Sequence, residues 1–442
     1  MKKLSVRLIT ISLMCLLILV GCGKTNTEVV DPGSPTTNPS SNIEEQDPTQ
    51  VDNTEGTIAG ENTDGTSDGE NPDGTTGADN GSDQDANSGS NSQGFINDPV
   101  ANMENDFYGD YREEGGTITY ITGVSALEDG TYNATVFWGI ETYAQGAGVS
   151  YSYCISNSNE EKDCRDAIDS AIKAGSHLIV TSGTHFNSVI GEYQTKYSDI
   201  SFLMIDGVPQ DADGNDVEIS NNVHCIAFNE EEAGYLAGYI TALDGYTKFG
   251  FVGGESVPPV IRYGSGFVQG IAAAAEELGN TKDVEINMWY SESFLPSDTT
   301  YDMSTDWYTS GTQVIFACGG SLYESVLASA EVNDGKMIGV DINQNPLSER
   351  VITSAMKGIN KAVIVALDDY FAFGGWSEEM AGKVSSYGIA DKCPSIPIEE
   401  WRFENVALDD YWNVYVKLRA GEIDIKPDLK EVSSIPVKIN QY

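Results

Sequence analysis

From residue 117 onward, short apolar runs rich in β-branched residues alternate with longer segments whose apolar positions recur every three or four residues. The short runs fall at 117–121, 149–155, 178–181, 202–205, 223–228, 249–252, 284–289, 314–317 and 337–340. Runs with so few polar residues predict strands buried on both faces, as parallel sheets require. The longer segments predict helices over 134–146, 159–173, 189–197, 231–243 and 268–277, the last of them Ala-rich. Strand and helix in alternation give parallel sheets with helices on both faces, an α/β architecture. The 328 residues from 115 to the end exceed what one core usually accommodates, so two lobes are expected.

Upstream the pattern disappears. Residues 23–100 are almost entirely Gly, Ser, Thr, Asn, Asp, Glu, Pro and Gln, and their few apolar residues (Val29, Val30, Ile43, Val51, Ile58) share no face. Low hydrophobicity with many like charges cannot offset chain entropy, and the expectation is a disordered tether. As a flexible coil it would reach roughly 50 Å. Before it, Lys2, Lys3 and Arg7 precede a 13-residue apolar run at 8–20. That run is short of the roughly 20 residues a bilayer span needs. A basic flank, a short apolar run and a small residue before a cysteine describe a secretory leader. Leu19-Val20-Gly21-Cys22 resembles the lipobox of bacterial lipoproteins, which implies cleavage after residue 21 and acylation of Cys22. The remainder would then work outside the cell, lipid-anchored to the outer face of a membrane.

Charge narrows the partners. The chain carries −44, of which residues 101–442 hold −32 and residues 23–100 hold −15. So acidic a surface repels phosphate backbones and disfavours nucleic acid and highly anionic ligands. Five cysteines follow Cys22: Cys154, Cys164, Cys225, Cys318 and Cys393, without metal-like spacing. Cys225 and Cys318 read as buried hydrophobes, while Cys154 and Cys164 could pair across a loop in an oxidising compartment. Enzyme signatures are absent: no GxSxG elbow, no GxxxxGK[ST] phosphate loop and no HExxH. Gly264, Gly266 and Gly270 nearly mimic a dinucleotide fingerprint with one gap too long, and are expected to let a helix start close to a sheet. No cofactor or metal is expected.

In open α/β sheets, ligands sit beyond the carboxyl ends of strands. Those ends carry Asp129, Tyr132 and Asn133; His185 and Phe186; Asp206; Phe294; Gly319 and Gly320; and Asp341, with Lys357 near in sequence. Glycines admit a ligand to the backbone, carboxylates accept hydroxyl or amino hydrogens, and aromatic rings clamp a flat group. Each has a plainer reading: the aromatics could be core residues, Asp206 a turn residue, and Asp341 with Lys357 a structural ion pair. His177, His224, Trp289, Trp376, Trp401 and Trp412 read as packing residues.

A series of phrases in order resembles the basic membrane protein family of lipoproteins, the purine nucleoside receptors of ABC importers. They include Asp129-Gly-Thr-Tyr-Asn133, Val180-Thr-Ser-Gly-Thr-His-Phe186, Phe202-Leu-Met-Ile-Asp-Gly207, Gly250-Phe-Val-Gly-Gly254, Tyr263-Gly-Ser-Gly-Phe267, Cys318-Gly-Gly320, Ile338-Gly-Val-Asp341 and Thr353-Ser-Ala-Met-Lys357. The resemblance runs from about 117 to at least 370 and fades between 372 and 404. It implies a type I periplasmic-binding fold, two lobes joined by three hinge strands, with an ABC permease and ATPase as partners. By position, Tyr132 and Phe294 would sandwich a purine, Asn133 and Asp206 would meet the base edge, and Gly320, Asp341 and Lys357 would hold the ribose hydroxyls. Tyr132 stands where the family commonly has Phe, and Ser321-Leu322 replaces a more usual Thr-Gly. The expected organisation is a leader at 1–21, a tether at 22–112 and a binding domain at 113–442. Lobe 1 is expected at about 115–228 and 343–400, and lobe 2 at about 229–342 and 401–442. A sugar or other neutral solute on the same fold, a solute sensor signalling to a membrane partner, and a nucleoside hydrolase needing a carboxylate-held divalent ion are the competing readings.

Overall fold

The computed structural model of the chain describes residues 117–124, 127 and 132–442. The leader, Cys22, the tether and Asp129 lie outside the described residues.

Five strands open the domain: β1 (Thr117–Thr122), β2 (Ser150–Ile155), β3 (Leu178–Ser182), β4 (Ser201–Ile205) and β5 (Val223–Phe228). Five more follow: β6 (Lys248–Gly253), β7 (Glu285–Tyr290), β8 (Val314–Cys318), β9 (Lys336–Asp341) and β10 (Val351–Met356). Late strands β11 (Lys383–Tyr387) and β12 (Lys438–Gln441) join one sheet each. The sheet orders are β11-β5-β4-β3-β1-β2 and β10-β9-β8-β6-β7-β12, and the strand pairings are parallel. Without the two late strands the second sheet repeats the first, each strand number raised by five. The chain has therefore wound the same unit twice, and each strand end in one lobe has a counterpart in the other.

The apolar runs explain the central strands. β3, β8 and β10 are buried at every position, as covered parallel strands must be. β2, at an edge, is largely exposed. The helices are α1 (Tyr132–Ala147), α2 (Glu161–Lys173), α3 (Asn187–Lys196), α4 (Glu230–Leu243), α5 (Pro258–Leu278), α6 (Asp298–Thr309), α7 (Tyr323–Asn333), α8 (Ile359–Phe373) and α9 (Leu408–Arg419). α2 shows the governing periodicity: Cys164, Ala167, Ile168 and Ala171 form one buried stripe. α5 begins ten residues before the Ala-rich stretch, at Pro258, whose missing N–H costs nothing in a first turn.

Two expectations are corrected. Gly266 and Gly270 do not open a helix beside a sheet. They lie within α5 and face α4, where an added Cβ would stand 1.9 Å from the Glu231 carbonyl oxygen and 2.2 Å from that of Tyr235. Only Gly264 faces the sheet, against Phe251. The lobe boundary also moves, because β10 belongs to the second sheet. The chain first leaves lobe 1 between β5 and α4. It returns at Lys357-Gly358, since α8 packs in the first lobe's core, and leaves again before Ile396, which lies in the second core. The two later crossings are tied antiparallel, with Met356 N–H donating to Ser395 O at 2.9 Å and Ser395 N–H to Met356 O at 3.2 Å. Cys154 and Cys164 are free thiols in this structure. Trp289, Trp376, Trp401 and Trp412 pack against the cores, and buried His224 bonds the Met380 carbonyl. Among the described residues no helix is long and apolar enough to cross a membrane.

The α4–α5 contact yields a test. Gly266→Ala should force the helices apart and destabilise the protein by about 1–3 kcal/mol, the usual cost of overpacking. Urea unfolding reads this out; an unchanged midpoint would contradict so close an approach.

Candidate functional site

The carboxyl ends of the two sheets face one cavity of about 200 Å³. From lobe 1 it is lined by Tyr132, Asn133, Asn159, His185 and Asp206, and from lobe 2 by Glu255, Tyr263, Glu292, Phe294, Gly320 and Asp341. Lys357, at the second crossing, completes the lining. Of the residues singled out from the sequence, Tyr132, Asn133, Asp206, Phe294, Gly320, Asp341 and Lys357 converge here. Phe186 does not. Its ring is fully buried in the core under the first sheet with Ile121, Val189 and Phe202, because the short turn at Thr184–Phe186 sends His185 to the cavity and Phe186 inward.

Lys357 is the centre of the arrangement. Its side chain is 2 % exposed, and its Nζ lies 2.6 Å from Asp206 Oδ2, 3.2 Å from Glu230 Oε1 and 3.6 Å from Asp341 Oδ1. The four residues come as two equivalent pairs. Asp206 follows β4 and Asp341 ends β9; Glu230 follows β5 and Lys357 follows β10. Both aspartates hold left-handed backbone, at φ 56° and 64°, a conformation Asp tolerates better than most residues. The ammonium also stands 5.0 Å over the Tyr132 ring, 5.2 Å over Phe228 and 5.7 Å over Tyr263. Tyr263 donates its hydroxyl to Asp341 Oδ1 at 3.2 Å.

Burial alone would depress the Lys357 ammonium, but Asp206, Asp341 and Glu230 together hold it above its ordinary value. Burial pushes Glu230 up to about 8 against the pull of Lys357, with Asp206 adding to the rise. Burial likewise leaves Asp341 above the usual carboxylate range, again opposed by Lys357. Burial thus works against the charge on Glu230 and Asp341, while the carboxyl groups around Lys357 keep the charge on it.

The rings are set by their supports. Phe294 lies on the strand ends of the second sheet: a Cβ at Gly254 would meet its ring at 2.4 Å, and one at Gly319 at 2.8 Å. The Phe294 carbonyl accepts Ser321 N–H at 2.9 Å, which fixes the loop. The Tyr132 hydroxyl donates to Ile205 O at 3.2 Å, and Asn133 Oδ1 accepts from Ser182 Oγ at 3.2 Å. Glu255 and Glu292 add charge on the second lobe. Burial, then the neighbouring Glu292, raises Glu255. Glu230, Tyr263, Glu255 and Glu292 escaped sequence reasoning. Glu230 sits in a Glu-Glu-Glu run that reads as ordinary helix-start charge, and Tyr263 lies inside a phrase that carried only the resemblance.

Because Glu230 binds a proton in the folded state at pH values where an unfolded Glu has lost it, stability falls as pH rises from about 4.5 toward 8. Glu230→Gln removes that component. Its ligand-free melting temperature should decline less than the parent's between pH 5 and 8, and parallel curves would contradict the assignment.

Comparison with known proteins agrees with this architecture. Among solved structures, a solute-binding protein of an ABC transporter system from Aeropyrum pernix superposes with TM-score 0.61 at 19% identity, covering 72% of this chain and 95% of that one. A solute-binding protein from Conexibacter woesei gives 0.54 at 18% identity, covering 71% and 99%. At these identities the likeness establishes the fold. Basic membrane protein B of Borreliella burgdorferi is 30% identical over 234 residues, 52% of this chain and 65% of the relative. The ABC transporter nucleoside-binding protein BmpA of Lactococcus lactis is 24% identical over 242 residues, 52% and 64%. Such matches span a little under two thirds of the relatives' own length. The family model for PnrA-like ABC transporter substrate-binding proteins matches residues 119–407, and the chain belongs to that family.

Proposed function

We propose that this chain is a lipid-anchored receptor, held at the outer face of the membrane through Cys22, that captures a purine nucleoside and delivers it to an ABC permease and its ATPase. One observation carries the reading. Tyr132 from lobe 1 and Phe294 from lobe 2 face a shared cavity that also holds a buried, unpartnered carboxylate oxygen, Asp206 Oδ1, and the Asp341–Lys357 pair. A flat base between rings, an acceptor at its edge, and a carboxylate with an ammonium for vicinal hydroxyls are what a nucleoside asks for. In this reading Asn133 and Asp206 meet the base, while Gly320, Asp341 and Lys357 meet the ribose. The name of the Lactococcus relative supports the ligand class. Asp206, Glu255, Glu292 and Asp341 against Lys357 leave the lining acidic, which favours a nucleoside over its phosphates.

Calorimetry on the parent and single variants tests this. Guanosine, inosine or adenosine should bind, and the matching 5′-monophosphates at least about tenfold more weakly, a loss of 1.4 kcal/mol or more. Phe294→Ala should cost about 1–3 kcal/mol of stacking. Asp341→Asn should cost about tenfold or more by leaving a ligand hydroxyl poorly paired. Tyr132→Phe should be nearly neutral, because the Ile205 carbonyl it frees still accepts from Gly183 N–H. Equal binding of AMP would overturn the preference for a nucleoside over its phosphates, and tight ribose binding with which adenine cannot compete would overturn the purine assignment in favour of a sugar.

A further inference from the structure

We propose that His185 binds the ligand directly through Nε2, a contact that extends the nucleoside reading and rests on it for its probes. Among the described residues, two buried side-chain atoms without a hydrogen-bond partner belong to cavity-lining residues: Asp206 Oδ1 and His185 Nε2. Buried polar atoms are rarely left unpaired, and two in one cavity point to what the cavity takes.

The backbone holds the imidazole deliberately. His185 leans over Gly123, just after β1, and Gly183, just after β3. A Cβ at Gly123 would stand 2.8 Å from Nε2, and one at Gly183 would stand 2.8 Å from Cε1. By the repeated winding, Gly123 and Gly183 are the counterparts of Gly254 and Gly319, the two glycines beneath Phe294. Each lobe therefore lays a ring over the same pair of strand ends. In lobe 2 that ring is a hydrocarbon, and in lobe 1 it carries nitrogen. Phe186 supports it from the core side, with ring centroids 4.3 Å apart. The nearby Asn159 carbonyl is already engaged by Val124 N–H at 3.3 Å, and makes no bond to Nε2.

Burial draws the imidazole down to about 4, so at neutral pH the ring is uncharged and offers one donor and one acceptor nitrogen. Asp206 Oδ1 asks the ligand for a donor; His185 Nε2 asks it for a second polar atom. A heteroaromatic base edge supplies both.

The chain has three histidines, at 177, 185 and 224, so imidazole NMR of the full chain is simple to resolve. The resonances of His185 are identified by their loss in His185→Gln. On titration with guanosine, inosine and adenosine, the His185 signals should shift while those of His177 and His224 stay. His185→Phe, which keeps a ring and loses the nitrogen, should weaken binding about tenfold, whereas His185→Gln, whose amide can reach the same place, should stay within a few-fold. Nucleoside binding with the His185 signals unmoved, or with full affinity in His185→Phe, overturns this proposal alone. If the parent binds none of the three nucleosides, the nucleoside reading and this proposal fall together.

Discussion

One buried ammonium has to satisfy both halves of this protein at once. Lys357 sits at a chain crossing between lobes and touches the carboxyl group of Asp206 from lobe 1, that of Asp341 from lobe 2 and that of Glu230 at the first crossing. Removing a cation of this kind strands its carboxylates in a medium that cannot solvate them. The lobes are thus held in register by an interaction that lines the cavity between them. Any ligand that bonds Asp206 or Asp341 competes with, or completes, the same set of charges. In the proposed function, binding and the relation of the lobes would be coupled through Lys357 for that reason.

The repeated winding explains how the set is assembled. A sheet wound in the order β5-β4-β3-β1-β2 places the ends of β4 and β5 side by side, and its repeat does the same with β9 and β10. Facing the two units across a cleft brings four strand ends together, and the chain puts Asp, Glu, Asp and Lys there. Left-handed backbone at both aspartates turns their side chains out of the strand direction and into the cavity. The same logic sets the rings of His185 and Phe294, each resting on glycines that follow equivalent strands.

Much of this was legible in the sequence because strand cores announce themselves. Runs such as Leu178–Ser182 and Val314–Cys318, short, apolar and rich in β-branched residues, read as central strands, and ligands meet parallel sheets at the residues after them. That is why Asp206, Phe294 and Asp341 could be picked out before any coordinates. The failures have physical reasons too. α6, α7 and α9 carry polar or aromatic residues among their buried positions, which blurs the helical period. β10, Val-Ile-Thr-Ser-Ala-Met, hides two hydroxyl residues in a fully buried strand, so the lobe boundary was drawn too early. Phe186 and His185 are adjacent on a three-residue turn, and no periodicity tells which of the two faces the cleft. Glu230 is one of three consecutive glutamates, and only the fold decides that it is the one beside Lys357.

Lys357 joins the two lobes to each other and, in the proposed function, to the ligand. Lys357→Met keeps most of the side-chain volume and removes the charge, so its unfolding free energy, with and without saturating guanosine, is the direct measure. Loss of about 3–5 kcal/mol without ligand, as expected when buried carboxylates lose their cation, together with loss of the guanosine-induced stabilisation, is the predicted result. A variant that unfolds like the parent and is stabilised by guanosine to the same extent would contradict the account.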